Sequence, residues 1–291
     1  MSYGLPQESA PAAPVCYLHT DRETWIRCTR CERPICPECM TAAAVGYQCP
    51  ECVRAGAAST RQARTVFGGQ MTRDGAVTKA LIGICVALFV VVSELGALGG
   101  LGRWGMFPPA IGVSGEWFRL VSAMFLHAGW LHLGFNMYIL YLLGPPLERV
   151  LGHGRFLALF LLSGLGGSVA SYWFSDLRTL SVGASGAIFG LMAAWIVVAR
   201  RLGWDMTQVA MLLAINMVLG FVLSGIDWRA HLGGAVTGAV VGLLLTTGRG
   251  QEGQARAGQQ AVAAGAVLAG LIGLTLIRTD QIQALIPSLL G

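Results

Sequence analysis

A single hydroxyl lies between small residues, at the head of an apolar run, in the stretch Val182-Gly-Ala-Ser185-Gly-Ala-Ile-Phe-Gly190. The polar partner that can activate this hydroxyl lies far downstream, at His231, which also heads an apolar run. A serine is a weak nucleophile unless a base takes its proton, and a neutral imidazole near pH 7 is the natural base. The two residues predict a serine hydrolase whose nucleophile and base come from separate segments.

The composition predicts that most of the chain faces lipid. Hydrophobic residues make up 54% of the chain and charged residues only 12%, whereas a soluble globular chain carries about 25% charged residues. The 40 glycines suit close packing of helices in a membrane. The net charge of +5 is modest. It indicates basic cytoplasmic loops and predicts no nucleic-acid partner.

Seven apolar stretches approach the length that a bilayer demands, which is about 20 residues. They cover residues 80–98, 131–149, 156–174, 185–199, 207–223, 231–247 and 260–277. Basic residues before the first stretch, and the pair Arg200-Arg201 after the fourth, favour a cytoplasmic N-terminus. We therefore expect a multi-pass protein of the plasma membrane.

This topology brings polar residues of three spans to one depth. Ser185 and His231 fall at the outer ends of the fourth and sixth spans, and His132 and Asn136 fall in the outer part of the second. His132 and Asn136 are four residues apart on one helix face, from which they can supply oxyanion donors together with the Ser185 N–H. Each residue alone has a structural explanation, such as interhelical bonding. Their matched depth favours a functional site.

Glycines follow His231 at helical spacing. Gly234 and Gly238 form a small-residue stripe on the face that carries the histidine. Such a stripe lets two helices approach closely. We expect it to pack against the face that carries Ser185 and Gly186, because a hydrogen bond between serine and histidine needs that approach.

Seven of the eight cysteines lie in front of the membrane part, between Cys16 and Cys52. A C-x2-C turn supplies two ligands to a tetrahedral zinc ion, so four such pairs predict two ions. Disulfides would leave one thiol over and would not explain His19. The ligand pairs are Cys16/His19, Cys28/Cys31, Cys36/Cys39 and Cys49/Cys52.

The types and spacings of these ligands resemble a B-box-type zinc finger. The resemblance implies that the first and third pairs share one ion and that the second and fourth share the other. The spacing alone leaves a sequential arrangement open. A module with so few apolar residues is expected to fold only when metal is bound. Its thiolates need a reducing compartment, which agrees with a cytoplasmic location.

Four motifs of the membrane part, taken in order, resemble the rhomboid family of intramembrane serine proteases. They are Glu116-Trp117-Phe118-Arg119, His127-x4-His132-x3-Asn136, Gly183-Ala184-Ser185-Gly186 and Ala230-His231-x2-Gly234-x3-Gly238. The resemblance implies an all-α fold, with a six-helix bundle, one extra C-terminal helix and, here, a small two-zinc module in front. It also implies a catalytic dyad of Ser185 and His231 without an acidic third member, so that Asp227 is not catalytic.

The same resemblance implies that His132 and Asn136 are the oxyanion donors. Members often carry a tyrosine four residues after the nucleophile, where this chain has Phe189. Its ring is expected to pack on His231 without the bond that a hydroxyl would make. The residues expected to support the site are His127, Gly183, Gly186, Phe189, Gly234, Gly238, Trp117 and Arg119.

The expected function is cleavage of transmembrane protein substrates near the outer leaflet, with zinc structural and no cofactor for catalysis. The zinc module is assigned to a cytoplasmic protein partner or to regulation. One alternative is a catalytically silent rhomboid-like protein that binds membrane clients. Another is a transporter or channel, although few polar residues lie at the midplane of the spans. The predicted domains are a disordered N-terminus (1–14), the zinc module (15–55), a basic linker (56–78), the membrane domain (79–280) and a C-terminal tail (281–291).

Overall fold

The computed structural model describes residues 12–59, 64–71, 74–223, 225–247 and 253–290. The chain divides into two compact units, of which the smaller ends at Gln62 and the larger begins at Ala63. The N-terminus for which disorder is predicted, residues 1–14, lies for most of its length outside the described residues.

The smaller unit is built around its cysteines. Strands β1 (Thr41–Ala42) and β2 (Tyr47–Gln48) form an antiparallel hairpin, and helix α1 (Pro50–Ser59) follows. The buried core that the structure describes consists of five cysteines and Ile35. So small an apolar core contributes little to stability.

The larger unit is helical. Its helices are α2 (Ala76–Leu88), α3 (Gly100–Trp104), α4 (Pro108–Gly112), α5 (Arg119–Ser122), α6 (Trp130–Leu151), α7 (His153–Phe174), α8 (Ser185–Leu202), α9 (Thr207–Val222), α10 (Trp228–Thr246) and α11 (Gly253–Leu290). A π-helical segment extends α2 from Phe89 to Glu94. The three short helices α3, α4 and α5 lie in the long connection between α2 and α6.

Five described helices are long and apolar enough to cross a membrane, namely α2 with its extension, α7, α8, α10 and α11. Helix α9 is apolar but has 16 residues. Helix α6 has 22 residues but carries His132, Asn136 and the buried Glu148, which lower its hydropathy. These seven helices correspond to the seven predicted spans, and the fold is an all-helical polytopic membrane bundle.

Helices α7, α8 and α10 form the centre of the bundle, and glycines set how closely α8 and α10 pack. A β-carbon on Gly234 would lie 2.0 Å from the carbonyl oxygen of Gly186. One on Gly238 would lie 2.2 Å from the carbonyl oxygen of Gly190. The two backbones are therefore in direct contact, as small residues permit in membrane helices. This contact brings the first turns of α8 and α10 together.

The segment before the first span is more structured than a linker. Helix α1 continues to Ser59, and Phe67 is fully buried in the core of the larger unit. Helix α2 begins at Ala76, because the buried carboxylate of Glu148 accepts the N–H groups of Val77 and Thr78, each at 3.0 Å. These bonds satisfy N–H groups that a helix end leaves unpaired.

The last helix is longer than the sequence predicts. Helix α11 begins before residue 260 and continues to Leu290, through the segment 281–291 for which a tail is predicted. The polar residues after position 277 do not end it, because several of them bond to other helices. Thr279 lies 3.0 Å from the Tyr172 hydroxyl, and Gln283 donates to the Gly112 carbonyl at 3.0 Å. Ile282 packs against Gly112 and is buried.

Candidate active site

Ser185 and His231 meet at one end of the bundle. Ser185 is the first residue of α8, and His231 is the fourth residue of α10. The Ser185 Oγ atom lies 2.9 Å from His231 Nε2, within hydrogen-bond distance. Ala184 provides no side-chain cap for α8. The unpaired N–H groups and the positive end of the helix dipole are therefore concentrated beside the serine hydroxyl.

The chain enters α8 through Gly183, where only glycine fits. Gly183 has a φ of +140°, and a β-carbon there would lie 2.8 Å from His132 Nε2. Its N–H donates to the Ala123 carbonyl at 2.9 Å. Two residues earlier, Ser181 and Met106 exchange two backbone hydrogen bonds of 2.9 Å. Backbone hydrogen bonds thus join the segment before the serine to the connection between α2 and α6.

His132 and Asn136, which belong to α6, lie on the same cavity as the serine. The His132 Nδ1 atom accepts the Ala128 N–H at 3.4 Å, which assigns the ring hydrogen to Nε2, the nitrogen that faces Gly183. The Asn136 side chain is buried, and its Nδ2 donates to the His132 carbonyl at 2.7 Å. Both side chains therefore present nitrogen donors near the serine.

These polar groups converge on a cavity of about 870 Å³. Ser185, His231, His132 and Asn136 all line it. Most of its remaining surface is apolar, and it includes Phe135, Ile139, Met192 and Leu219. An apolar cavity with a few convergent polar groups is the usual character of a ligand site in proteins.

The imidazole of His231 is held by packing and not by an acid. The ring of Phe189 stacks on it, with centroids 4.0 Å apart and planes 13° apart. His231 Nδ1 has no hydrogen-bond partner among the described residues. Gly220 of α9 lies next to it, since a β-carbon there would be 3.3 Å from Nδ1.

Asp227 instead joins three segments around the site. It is the N-cap of α10 and accepts the Ala230 N–H at 3.2 Å. Its other oxygen accepts the Ser181 hydroxyl at 2.6 Å and also the Ser171 hydroxyl of α7. This role was not predicted, although an aspartate directly before an apolar helical run is a recognised N-cap pattern.

The remaining predicted residues, namely His127, Trp117 and Arg119, do not line the cavity. His127 is fully buried, and its ring lies edge-on to His132 with centroids 5.1 Å apart. The Ser93 hydroxyl donates to the His127 carbonyl at 2.9 Å, which anchors this segment to the end of the first span. Trp117 is exposed and does not line the cavity.

Arg119 organises the connection between α2 and α6. Its side chain is buried, Nε donates to Glu116 at 2.6 Å, and Nη1 donates to the carbonyls of Gly102 and Gly105 at 2.7 and 3.0 Å. This bond to Arg119, together with the nearby Arg103, holds the pKa of Glu116 below its ordinary value. One guanidinium thereby ties α3 to α5.

The eight predicted metal ligands form two groups in the smaller unit. One group contains Cys16, His19, Cys36 and Cys39, and the other contains Cys28, Cys31, Cys49 and Cys52. The ligand atoms within each group lie within 4.8 Å of one another, and all these thiols are free. The structure therefore has the interleaved arrangement and not the sequential one.

The spacing of the ligand atoms fits zinc. With Zn–S bonds of about 2.3 Å, two sulfurs of a tetrahedron lie about 3.8 Å apart. The sulfurs of Cys16 and Cys39 are 3.8 Å apart, and those of Cys31 and Cys49 are 3.7 Å apart. His19 Nδ1 lies 3.3 Å from the sulfurs of both Cys36 and Cys39. Each group can hold one ion without rearrangement.

Backbone and arginine donors contact some of the ligand sulfurs. Burial alone would raise the pKa of Cys28, but backbone N–H groups, including that of Cys49, outweigh it and lower the pKa to about 6. Arg33 donates from Nε to the Cys31 sulfur at 3.3 Å and pairs with Glu51. Such outer contacts orient ligands and offset the charge of a four-thiolate site.

Fold and site together define a class, that of polytopic membrane proteins with a serine–histidine pair in a cavity among their helices. The model of the Rhomboid domain matches residues 114–248. Rhomboid protease GluP of Bacillus subtilis is 42% identical over 132 residues, which are 43% of this chain and 25% of GluP. The rhomboid-family protein YdcA of the same organism is 38% identical over 136 residues, 45% of this chain and 68% of YdcA.

The chain belongs to the rhomboid family. Rhomboid protease AarA of Providencia stuartii is 32% identical over 162 residues, which are 46% of this chain and 57% of AarA. The chain therefore spans between a quarter and about two thirds of the length of these three relatives. The matched family domain contains Ser185 and His231 and excludes the cysteine-rich unit.

Proposed function

We propose that this protein is an intramembrane serine endopeptidase that cleaves transmembrane protein substrates near the outer leaflet. The observation that carries the proposal is the 2.9 Å separation of Ser185 Oγ and His231 Nε2 inside a cavity among membrane helices. The relatives named as rhomboid proteases support the same activity. A silent binding protein would have no need for a hydrogen-bonded nucleophile and base.

The reaction begins when Ser185 Oγ attacks the scissile carbonyl carbon and His231 Nε2 takes the hydroxyl proton. The tetrahedral intermediate collapses, the C–N bond breaks, and the same proton passes from His231 to the leaving amine. A water molecule then attacks the acyl ester, and His231 takes its proton and returns it to Ser185. This cycle uses no cofactor.

Charge that develops on the carbonyl oxygen needs preorganised donors. The His132 Nε2–H and the Ser185 N–H at the start of α8 are two candidates. Asn136 supplies a third, because its amide nitrogen carries two hydrogens and one bond to the His132 carbonyl uses only one of them. Loss of one oxyanion donor typically costs about 10²–10³ in kcat.

A fluorophosphonate probe tests the proposal on the full chain in detergent. We expect Ser185 to be labelled, with no labelling of Ser185→Ala and strongly reduced labelling of His231→Ala. Equal labelling of the wild type and Ser185→Ala would contradict the proposal. Cleavage of a transmembrane reporter by the wild type, but not by Ser185→Ala, separates an active protease from a silent binding protein.

For the smaller unit, we propose a B-box-type module that binds two structural zinc ions and serves a protein partner or regulation. The interleaved ligand groups and their spacing support this assignment. Elemental analysis of the full chain should find about two zinc ions, and none after removal of residues 1–60. A folded module that holds no metal would contradict it.

We further propose a cytoplasmic N-terminus in the plasma membrane, with the zinc module at 15–55, a basic linker at 56–78 and the membrane domain at 79–280. The Arg200-Arg201 pair after α8 supports this orientation through the positive-inside rule. Protease digestion of an N-terminal tag tests it. The tag should resist digestion in intact cells and be cleaved in inverted vesicles, and the reverse result would refute the orientation.

A further inference from the structure

Arginines from three segments of the larger unit meet near the first turn of α7, at the end of the bundle opposite Ser185. They are Arg64, before the first span, Arg155, the third residue of α7, and Arg256, near the start of α11. A β-carbon on Gly68 would lie 3.6 Å from Arg155 Nη2 and 4.0 Å from Arg256 Nε. Both guanidinium groups therefore border one small space beside Gly68.

Local bonds fix these side chains in place. The Arg155 Nε donates to the Gln260 side-chain oxygen at 2.7 Å, and Gln260 in turn donates to the Leu245 carbonyl at 2.7 Å. Arg256 is buried, and its Nη1 donates to the Val66 carbonyl at 3.2 Å. Arg64 is exposed, and its Nη1 lies 3.5 Å from the Gly68 carbonyl. Tertiary contacts thus fix Arg155 and Arg256, and exposed Arg64 adds a third guanidinium beside them.

The cluster concentrates positive charge in a partly buried region, where a charged group costs free energy. The guanidinium groups of Arg155 and Arg256 both border the space beside Gly68, and Arg64 lies at the Gly68 carbonyl, so like charges lie close together. Among the described residues, no carboxylate forms an ion pair with Arg64 or Arg155. The uncapped start of α7 adds the positive end of a helix dipole. Clustered, partly desolvated cations are stabilised when an anion lies among them.

We propose that this cluster binds a phosphate group, carried by an anionic phospholipid or free in solution. One guanidinium group can donate two parallel hydrogen bonds to two phosphate oxygens. Basic pockets between helices at a membrane interface bind lipid headgroups. The site lies about 30 Å from the serine, because 22 residues of α7 separate the two ends. It is therefore distinct from the catalytic cavity.

Native mass spectrometry of the full chain tests the proposal with phosphatidylglycerol and phosphatidylcholine. We expect the wild type to retain phosphatidylglycerol preferentially, and Arg155→Gln and Arg64→Gln each to bind it roughly five-fold more weakly. Arg200→Gln is the matched control, because Arg200 is exposed at the same end of the bundle but outside the cluster. It should bind like the wild type. Exposed Arg64 can be replaced without loss of the fold.

Inorganic phosphate distinguishes the two sources of the anion. If millimolar phosphate raises the wild-type melting temperature more than chloride of equal ionic strength, and Arg64→Gln abolishes the effect, the site takes free phosphate. A preference for phosphatidylglycerol without this shift assigns the site to lipid. If both ligands bind equally to the wild type and to Arg64→Gln, or if Arg200→Gln weakens binding as much, the proposal is wrong.

Discussion

Phe189 lies parallel to His231 at 4.0 Å, one turn of α8 below the serine that the same histidine contacts. A single turn of α8 therefore provides both the hydroxyl and the ring that fixes the orientation of the base. No hydrogen bond holds the ring through its second nitrogen, because Nδ1 has no partner among the described residues. We therefore expect stacking on Phe189 to orient the imidazole, as an acid does in a catalytic triad.

Replacement of Phe189 should reduce kcat more than it raises KM. Aromatic stacking is worth about 0.5–1.5 kcal/mol beyond burial, so Phe189→Leu, which keeps most of the volume, should lower kcat roughly three- to ten-fold. Phe189→Tyr keeps the ring and should stay near the wild-type rate. Cleavage of a fluorogenic transmembrane peptide measures both variants. Equal rates for the leucine and tyrosine variants would show that stacking does not orient His231.

Asp227 offers a test of whether an acid assists His231. An asparagine caps a helix as well as an aspartate does, so Asp227→Asn should retain activity within a few-fold and keep the wild-type pH profile. Loss of the acid from a Ser-His-Asp triad costs about 10⁴ in kcat. A fall of that size in Asp227→Asn would mean that the carboxylate acts on the imidazole. Asp227→Ala should lose roughly 1–2 kcal/mol of stability through the missing cap.

The sequence predicted the helices, the approach of Ser185 to His231 and the grouping of the cysteines with His19, because each follows from residue types at a fixed spacing. It did not predict the bonds of Asp227 to Ser171 and Ser181, which lie 56 and 46 positions before it. Nor did it predict that Glu148 caps α2, since a carboxylate in an apolar run gives no indication of its partner. Polar contacts between distant segments depend on which helices pack together. Residue spacing within one segment does not reveal that packing.

Gly238 tests whether close packing of α8 and α10 aligns the site. A methyl group there would lie 2.2 Å from the Gly190 carbonyl oxygen, so the helices must separate. Overpacking of this kind typically costs about 1–3 kcal/mol. We expect Gly238→Ala to lower the melting temperature and to reduce the rate of peptide cleavage.

Gly270→Ala in α11 is the matched control for Gly238→Ala, because a β-carbon there has nothing within 4 Å. It should leave both the melting temperature and the cleavage rate near wild-type values. If both alanine variants behave alike, glycine content rather than contact with Gly190 determines the packing.

The pH dependence of the smaller unit follows from its thiols. Burial opposes ionisation of Cys16, but backbone N–H donors, that of Cys36 first among them, lower its pKa to about 6, as similar donors do for Cys28. Burial and the contacts with Cys36 and Cys16 instead raise the pKa of Cys39 to about 12. An unfolded thiol has a pKa of about 8.5. A lowered pKa stabilises the folded form above the unfolded value, and this contribution is lost as the pH falls through 6, whereas the raised pKa of Cys39 acts in the opposite direction. Zinc binds thiolates and not thiols, so protons displace it, and this competition sets the direction of the pH dependence.

We therefore expect zinc to stay bound at pH 7.5 and to be released as the pH falls below about 6, with loss of the folded module. A zinc-sensitive dye and the intrinsic fluorescence of exposed Trp25 follow the two events on the full chain. The separate melting transition of the membrane domain serves as the internal control. It should not change when a chelator removes zinc at pH 7.5. Zinc that remains bound at pH 4, or a module that keeps its fold after chelation, would show that the thiolates do not hold this unit together.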